Sequence, residues 1–340
     1  MKNLNLLFAA VLIAFGAIFE LNAQSYPELF STETPLELQM KFSSKQIKNE
    51  TNDSTYLDSF LLYKNAEGGW DSLDIDLRAR GNFRRDNCSY PPIRIKIKKK
   101  KSNETPFEGH KNLKLVMPCN SSKNAPSYIA KEYLAYKMYE EVTPYFFPTR
   151  LVKISFFDED DKNGEESELL GFLIEDDDLV AERFGGEIFD EKKLGPTFLM
   201  DSATVRHDLF QYMIGNTDWS SMFYHNQKIM KLSDTEFIPL AYDFDMTGLV
   251  SPPYAQVSNL VDLEKITDRL YRGFCRDESL MQAVRQEFLA KENELMALVE
   301  NQFFMEERDV KLAKSYLKEF FSTMSNDKQF ESQILMKCRR

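Results

Sequence analysis

The chain has 340 residues, with 54 acidic against 43 basic side chains and a formal net charge of -11. So acidic a chain is poorly matched to a nucleic-acid backbone, whose phosphates reward clustered Lys and Arg. The length suits one large domain or two smaller units.

Lys2 opens a short basic end, residues 6–19 are almost wholly apolar, and Leu21-Asn22-Ala23 precede Gln24. This is the pattern of a secretory leader, residues 1–23, cut after a small residue. The apolar run is short for a bilayer span, and no later stretch is long enough to make one. No cysteine lies near the cut to carry a lipid anchor. Removal takes Lys2 and Glu20, one charge of each sign, so the acidic balance persists. A secreted, periplasmic or cell-envelope location is expected.

Residues 24–175 form a β-rich first unit. Alternating apolar residues predict strands at 36–42, 57–63 and 73–80, with polar turns at 45–55 and 65–69. Arg80-Gly81-Asn82-Phe83-Arg84-Arg85 follows as a basic turn. Such a turn either cradles phosphate, with Arg80 as a candidate, or is a solvated hairpin tip. The next strand, 93–98, carries Arg94, Lys96 and Lys98 on one face, and Lys96 is the lysine expected to reach a cleft. A strand at 113–117 leads to a helix at 125–142, with Pro126 in its first turn and Glu132 along it. Lys96 and Glu132 are candidates for a strand-to-helix ion pair. Strands at 151–157 and 169–174 flank an acidic turn whose spacing is not that of a calcium-binding loop.

The unit 176–340 is expected to be largely helical. After a short helical stretch at 179–184, Val205, Leu209 and Met213 recur at helical spacing, predicting a buried helix at 201–214 stopped by Gly215. A polar loop, 216–226, holds Asp218 and Asn226. Two short apolar runs, 227–232 and 236–241, read as a hairpin. The second runs into Tyr242-Asp243-Phe244-Asp245. Further amphipathic helices are expected at 260–274, 277–301 and 306–321. The four cysteines, Cys88, Cys119, Cys275 and Cys338, match no zinc spacing. In an exported chain disulfides are expected, with Cys88 and Cys119 as the pair because they flank neighbouring strands; two free buried thiols are the alternative.

The order helix, carboxylate loop, hairpin, aspartate has a chemical use. Phosphoryl transfer needs a carboxylate beside the attacking hydroxyl, and hard oxygen ligands to hold magnesium on the phosphates. Asp218, Asn226 and Asp243 fall in the order in which kinases place those groups.

Taken together, RGNFRR, the Arg-Ile-Lys step at 94–96, the Leu-Lys-Leu-Val strand, the Tyr-rich helix, LLGFLIE, the Asn-x-Asp at 216–218 and the DFD at 243–245 resemble the spore coat protein H (CotH) kinase-like family over about residues 78–248. That resemblance implies an α+β fold of the two-lobed atypical protein-kinase-like kind, with ATP and magnesium or manganese held between the lobes. It implies Lys96 on the nucleotide phosphates steadied by Glu132, Asp218 as catalytic carboxylate, Asn226 and Asp243 as metal ligands, and Asp245 as second ligand or structural partner. The family's Asn follows its loop Asp more closely than Asn226 follows Asp218, since residues 219–225 intervene. The implied activity is transfer of a phosphoryl group from ATP to a hydroxyl of a protein or glycan; the alternative is a non-catalytic kinase-like binding or structural module of the envelope.

Overall fold

The structure is a computed structural model describing residues 27–98, 102–191, 194–258 and 261–340. The leader lies outside the described residues.

The first half folds into a closed barrel. Strands β1 (Leu36–Phe42), β2 (Leu57–Lys64), β3 (Trp70–Ala79), β4 (Ile93–Ile97), β5 (Asn112–Val116), β6 (Thr149–Asp158) and β7 (Glu166–Glu175) close in the order β1-β2-β3-β4-β5-β7-β6. Neighbours are antiparallel except β1 and β6, which run parallel from Leu36 opposite Val152 to Phe42 opposite Asp158. The period-two pattern decides which face turns in. On β3, Leu73, Ile75, Leu77 and Ala79 are buried, and on β4 Ile93, Ile95 and Ile97 are, filling the barrel with Leu38, Leu113, Leu115, Ile154 and Phe156. The expected polar turn at 45–55 instead begins with a helix, α1 (Ser44–Glu50), capped by Ser43, whose hydroxyl accepts from the Gln46 amide, and anchored by buried Ile47. The basic turn is likewise helical over α2 (Phe83–Asn87).

Helix α3 (Ala125–Val142) joins the barrel to the rest. Ile129, Tyr133 and Tyr136 pack with Val116, Phe172 and Ile174, which β5 and β7 turn away from the barrel interior. Its other sides meet the C-terminal elements, so even Glu132 is buried. The chain continues through α4 (Asp177–Arg183), β8 (Glu187–Phe189), α5 (Asp201–Ile214), β9 (Gln227–Ser233) and β10 (Glu236–Ala241), with a small sheet ordered β10-β9-β8. It then enters α6 (Glu278–Ala290), α7 (Glu292–Glu300), α8 (Glu307–Ser325) and α9 (Asp327–Gln333).

The helix expected at 260–274 is not formed: the described part, 261–274, is turns and extended chain. There tertiary contacts outweigh helical periodicity. Arg269 donates to the carbonyls of Met213 and Tyr316, Arg272 donates to that of Thr217, and Phe274 bridges to Arg339. Disulfides join Cys88 to Cys119, as expected, and Cys275 to Cys338. The first ties the end of α2 to the loop after β5; the second ties the C-terminal segment to the chain just before α6. No described helix is long and apolar enough to cross a membrane.

Candidate active site

Helix α5 ends at Gly215 in the left-handed conformation, φ 65°. Two glycines are required here by close approach as well: the Tyr316 hydroxyl occupies the space that a Cβ on Gly215 or on Gly248 would need. The two backbones meet through the Gly248 amide, which donates to the Gly215 carbonyl at 3.1 Å. Thus α5 and the segment after β10 leave from one junction. Buried Asn216 then turns the chain, its Oδ1 accepting from the Asp218 amide at 2.9 Å.

The loop after Asp218 is closed by paired backbone hydrogen bonds between Ser220 and His225, and returns to Asp218 through two side chains. His225 Nε2 lies 3.0 Å from Asp218 Oδ1, and Asn226 Nδ2 donates to Asp218 Oδ2 at 3.1 Å. The Tyr242 amide donates to the Asn226 carbonyl, which places the end of β10 against the same loop. Asn226 and Asp243 both have positive φ, 53° and 65°. For side chains with a Cβ that conformation costs about 1–3 kcal/mol each and persists where the surroundings impose it. At Asp243 they do: its amide donates to the Tyr136 hydroxyl at 2.9 Å, and the next residue, Phe244, is fully buried against Tyr136 and Phe210.

These segments and the α2 turn bound a cleft of about 320 Å³, lined by Asp218, Asn226, Asp243 and Asp245 on one side and by Arg80 and Arg84 on the other. Arg84 is 6% exposed and Glu132 2%. Arg84 Nη1 reaches Glu132 Oε2 at 3.5 Å and Asp245 Oδ2 at 3.9 Å, and Tyr254 donates to the same Asp245 oxygen at 3.2 Å. Burial pushes the Glu132 carboxyl up to about 8; Arg84 opposes this, while Asp245 and Asp243 reinforce it. Asp245 is raised to about 6 by burial and by Asp243, against Arg84 and Tyr254. Burial leads both shifts and favours the neutral acids, and the arginines offset only part of it.

Asp243 is the carboxylate left open to a cation. Among the described residues it makes no side-chain hydrogen bond or ion pair, and no donor meets Asn226 Oδ1. Among those residues no group of three His, Cys, Asp or Glu side chains is close enough to hold a metal alone. Magnesium takes one or two carboxylates and completes its shell with water and substrate phosphate, and Asp243 and Asn226 offer hard oxygens of that kind. The residues present fit such an ion.

Lys96 requires correction. It is exposed on the barrel's outer face, opposite Asp76 and Asn112, with its ammonium 5.5 Å from the Tyr56 ring centroid. It pairs with no group of the cleft, and Arg84 occupies the place beside Glu132 that it was expected to fill. The face was read correctly but the position lies too far along β4. The lysine nearer the site is Lys114 on β5, 4% exposed, 2.9 Å from Asp177 Oδ1 and packed over Phe147 and Tyr242. Burial lowers its pKa against the pull of Asp177. Arg84 and His225 were not singled out for the site. The RGNFRR turn contained Arg84, but only the α2 helix turns it inward; His225 had one signal, its place directly before Asn226.

No protein-family model matches the chain, and no curated protein matches it. Among solved structures, the chain is similar to "Crystal structure of A Helicobacter pylori proinflammatory kinase CtkA", with TM-score 0.40 and 11% identity over 75% of this chain and 95% of that one. A likeness at that level carries no argument about function, which has to come from the site.

Proposed function

We propose that this chain is an exported, CotH-like atypical kinase, with the barrel as one lobe and the helical region as the other, transferring a phosphoryl group from ATP to a hydroxyl of a protein or glycan. The observation that carries the proposal is the convergence of Asp218, Asn226 and Asp243 on one cleft faced by Arg80 and Arg84. The leader pattern and the two disulfides support export.

In this reading Asp218 accepts the proton of the acceptor hydroxyl as its oxygen bonds to phosphorus and the bond to the ADP oxygen breaks. His225 and Asn226 hold the Asp218 carboxylate in place from its two oxygens. Asp243 and Asn226 Oδ1 would hold a magnesium or manganese ion, which supplies positive charge to the phosphates. Arg80 directs a guanidinium at phosphate oxygens. Asp245, engaged by Arg84 and Tyr254, acts as a structural partner rather than a free ligand.

The test is a thermal-shift titration of the mature protein with ATP and either Mg2+ or Mn2+, followed by γ-phosphate transfer to itself or to envelope extract. Binding to the folded state alone should raise Tm by a measurable increment at saturating nucleotide. A protein that binds no nucleotide with either metal leaves the non-catalytic envelope module as the reading.

A further inference from the structure

The loop that carries Asp218 is firmly held at its base and leaves two apolar side chains in water. Trp219 and Ser221 are buried, Trp219 edge-on to His207 with ring centroids 4.9 Å apart, and Ser221 Oγ donates to Gln227 Oε1. Those contacts and the Ser220–His225 backbone pair fix the base of the loop. Tyr224 fixes its return: it holds φ 52°, its hydroxyl accepts from the Leu194 amide at 2.8 Å, and it packs beside Leu199, Ile229 and Phe237. At the tip stand Met222, 47% exposed, and Phe223, 80% exposed. Turn tips ordinarily carry Gly, Asn, Asp or Ser. Tyr224 and His225, the next two residues, line the cleft with Asp218. The apolar tip is therefore continuous with the rim of the cleft on its Asp218 side.

We infer that Met222 and Phe223 form an acceptor subsite, which selects a polypeptide carrying an apolar side chain two residues from the hydroxyl that is phosphorylated. In the kinase reading Asp218 receives that hydroxyl, and the subsite depends on that reading. His225 Nε2 touches Asp218 Oδ1, so the base of the loop and the carboxylate are together. The tip lies two residues beyond the Ser220–His225 pair, at most about 7 Å away. An extended acceptor advances about 3.3 Å per residue and returns to the same face every second residue. The second residue from the hydroxyl is thus the one that reaches the tip. Residues 216–226 contain no Lys or Arg, so an acidic neighbour gains no cationic partner on this loop, whereas an apolar one covers Met222 and Phe223 from water. A flexible thioether beside an aromatic ring accepts side chains of several shapes, so the preference is for apolar character rather than for one residue type. A carbohydrate would bring hydroxyls to two side chains that cannot satisfy them.

The experiment gives the mature protein ATP with Mg2+ or Mn2+ and a positional-scanning library of Ser-, Thr- and Tyr-centred peptides, read as γ-phosphate transfer. Nucleotide affinity is measured alongside by isothermal titration. The kcat/KM should be at least about fivefold higher when Leu, Met or Phe stands two positions from the acceptor than when Ser or Asp does. Joint replacement Met222→Ser and Phe223→Ser should bring that preference below about twofold, through KM rather than kcat, with nucleotide affinity kept. Phe223→Leu alone, which stays apolar, should retain it. Both side chains are exposed, so these changes do not burden the core. A preference absent from the wild type, or one that survives the joint replacement, overturns the subsite. So does transfer confined to carbohydrate, or to no peptide at all, by a protein that binds nucleotide. A protein that binds no nucleotide removes the kinase reading and this subsite with it, and the titration tells that failure from the others.

Discussion

At the residue scale the two aspartates of the cleft are in different environments and should fail differently. Asp218 is held from both oxygens by His225 and Asn226, while Asp243 offers an unpaired carboxylate. Asp243→Asn should lose metal-dependent nucleotide binding, since a neutral amide is a poorer ligand for a hard cation. Asp218→Asn should keep nucleotide affinity and lose turnover by about 10²–10⁴-fold, the usual worth of a general base. Isothermal titration with ATP and Mg2+ beside a phosphate-transfer assay separates the two; identical defects in both would show that neither role is assigned correctly. The basic residues divide as sharply. Arg84→Ala leaves Glu132 and Asp245 buried without their cation and should cost about 3–5 kcal/mol in urea unfolding. Lys96→Ala, on the exposed face, should stay within about 0.5 kcal/mol and leave nucleotide binding unchanged.

At the element scale, the junction of α5 with the segment after β10 depends on two glycines and one tyrosine. Gly215→Ala places a Cβ at φ 65° and against the Tyr316 hydroxyl, so it should cost about 2 kcal/mol or more. Adding Tyr316→Phe clears the hydroxyl but not the backbone strain, and should recover part of that loss. A double-mutant cycle that shows no coupling would mean the contact is not made. The disulfides act on longer segments. Their loops, 31 and 63 residues, correspond to about 3.7 and 4.3 kcal/mol of chain entropy in the unfolded state. Replacing Cys275 and Cys338 by Ser should therefore lower the urea midpoint at least as much as replacing Cys88 and Cys119. Both replacements should reduce turnover, the Cys275–Cys338 one through Arg272, which donates to the Thr217 carbonyl next to Asp218, and the Cys88–Cys119 one through α2, which carries Arg84.

At the scale of the whole molecule, stability should depend on pH through a histidine that does not line the cleft. His110 is 2% exposed, stands edge-on to Phe30, and has both ring nitrogens buried without a partner. Burial, with Arg183 adding to it, holds its pKa down at about 4 against an ordinary 6.5. The unfolded chain thus binds the extra proton first. The stabilisation is complete above pH 6.5 and is lost as pH falls towards 4, by roughly 3 kcal/mol. Glu132 and Asp245, whose pKa values are raised, run the other way: what they contribute is lost as pH rises. Comparison with His110→Phe isolates the histidine. Its ΔG of unfolding should fall less steeply than that of the wild type between pH 6.5 and 4, and parallel curves would reject the assignment.

How much of this was legible in the chain follows from the range of the forces involved. Strand and helix positions were readable where burial is periodic. Helices α3 and α5 and strands β1 and β10 begin and end where their apolar pattern does, because the alternation of faces is local geometry. Asp218, Asn226 and Asp243, which the sequence placed on the loops around the hairpin, line one cleft. Three things were decided only in three dimensions. The lysine of β4 was placed by its face, but distance along a strand from a cleft is set by how the barrel docks on α3, and Lys96 falls outside. Arg84 was read as part of a basic turn, either a phosphate cradle or a solvated hairpin tip; a single turn of helix, tied down by the Cys88–Cys119 bond, carries it into the interior beside Glu132. Residues 261–274 carry a helical pattern, yet their arginines are drawn to carbonyls of other segments. Local periodicity records what a segment buries, whereas the partner of a buried charge depends on chain folded from elsewhere.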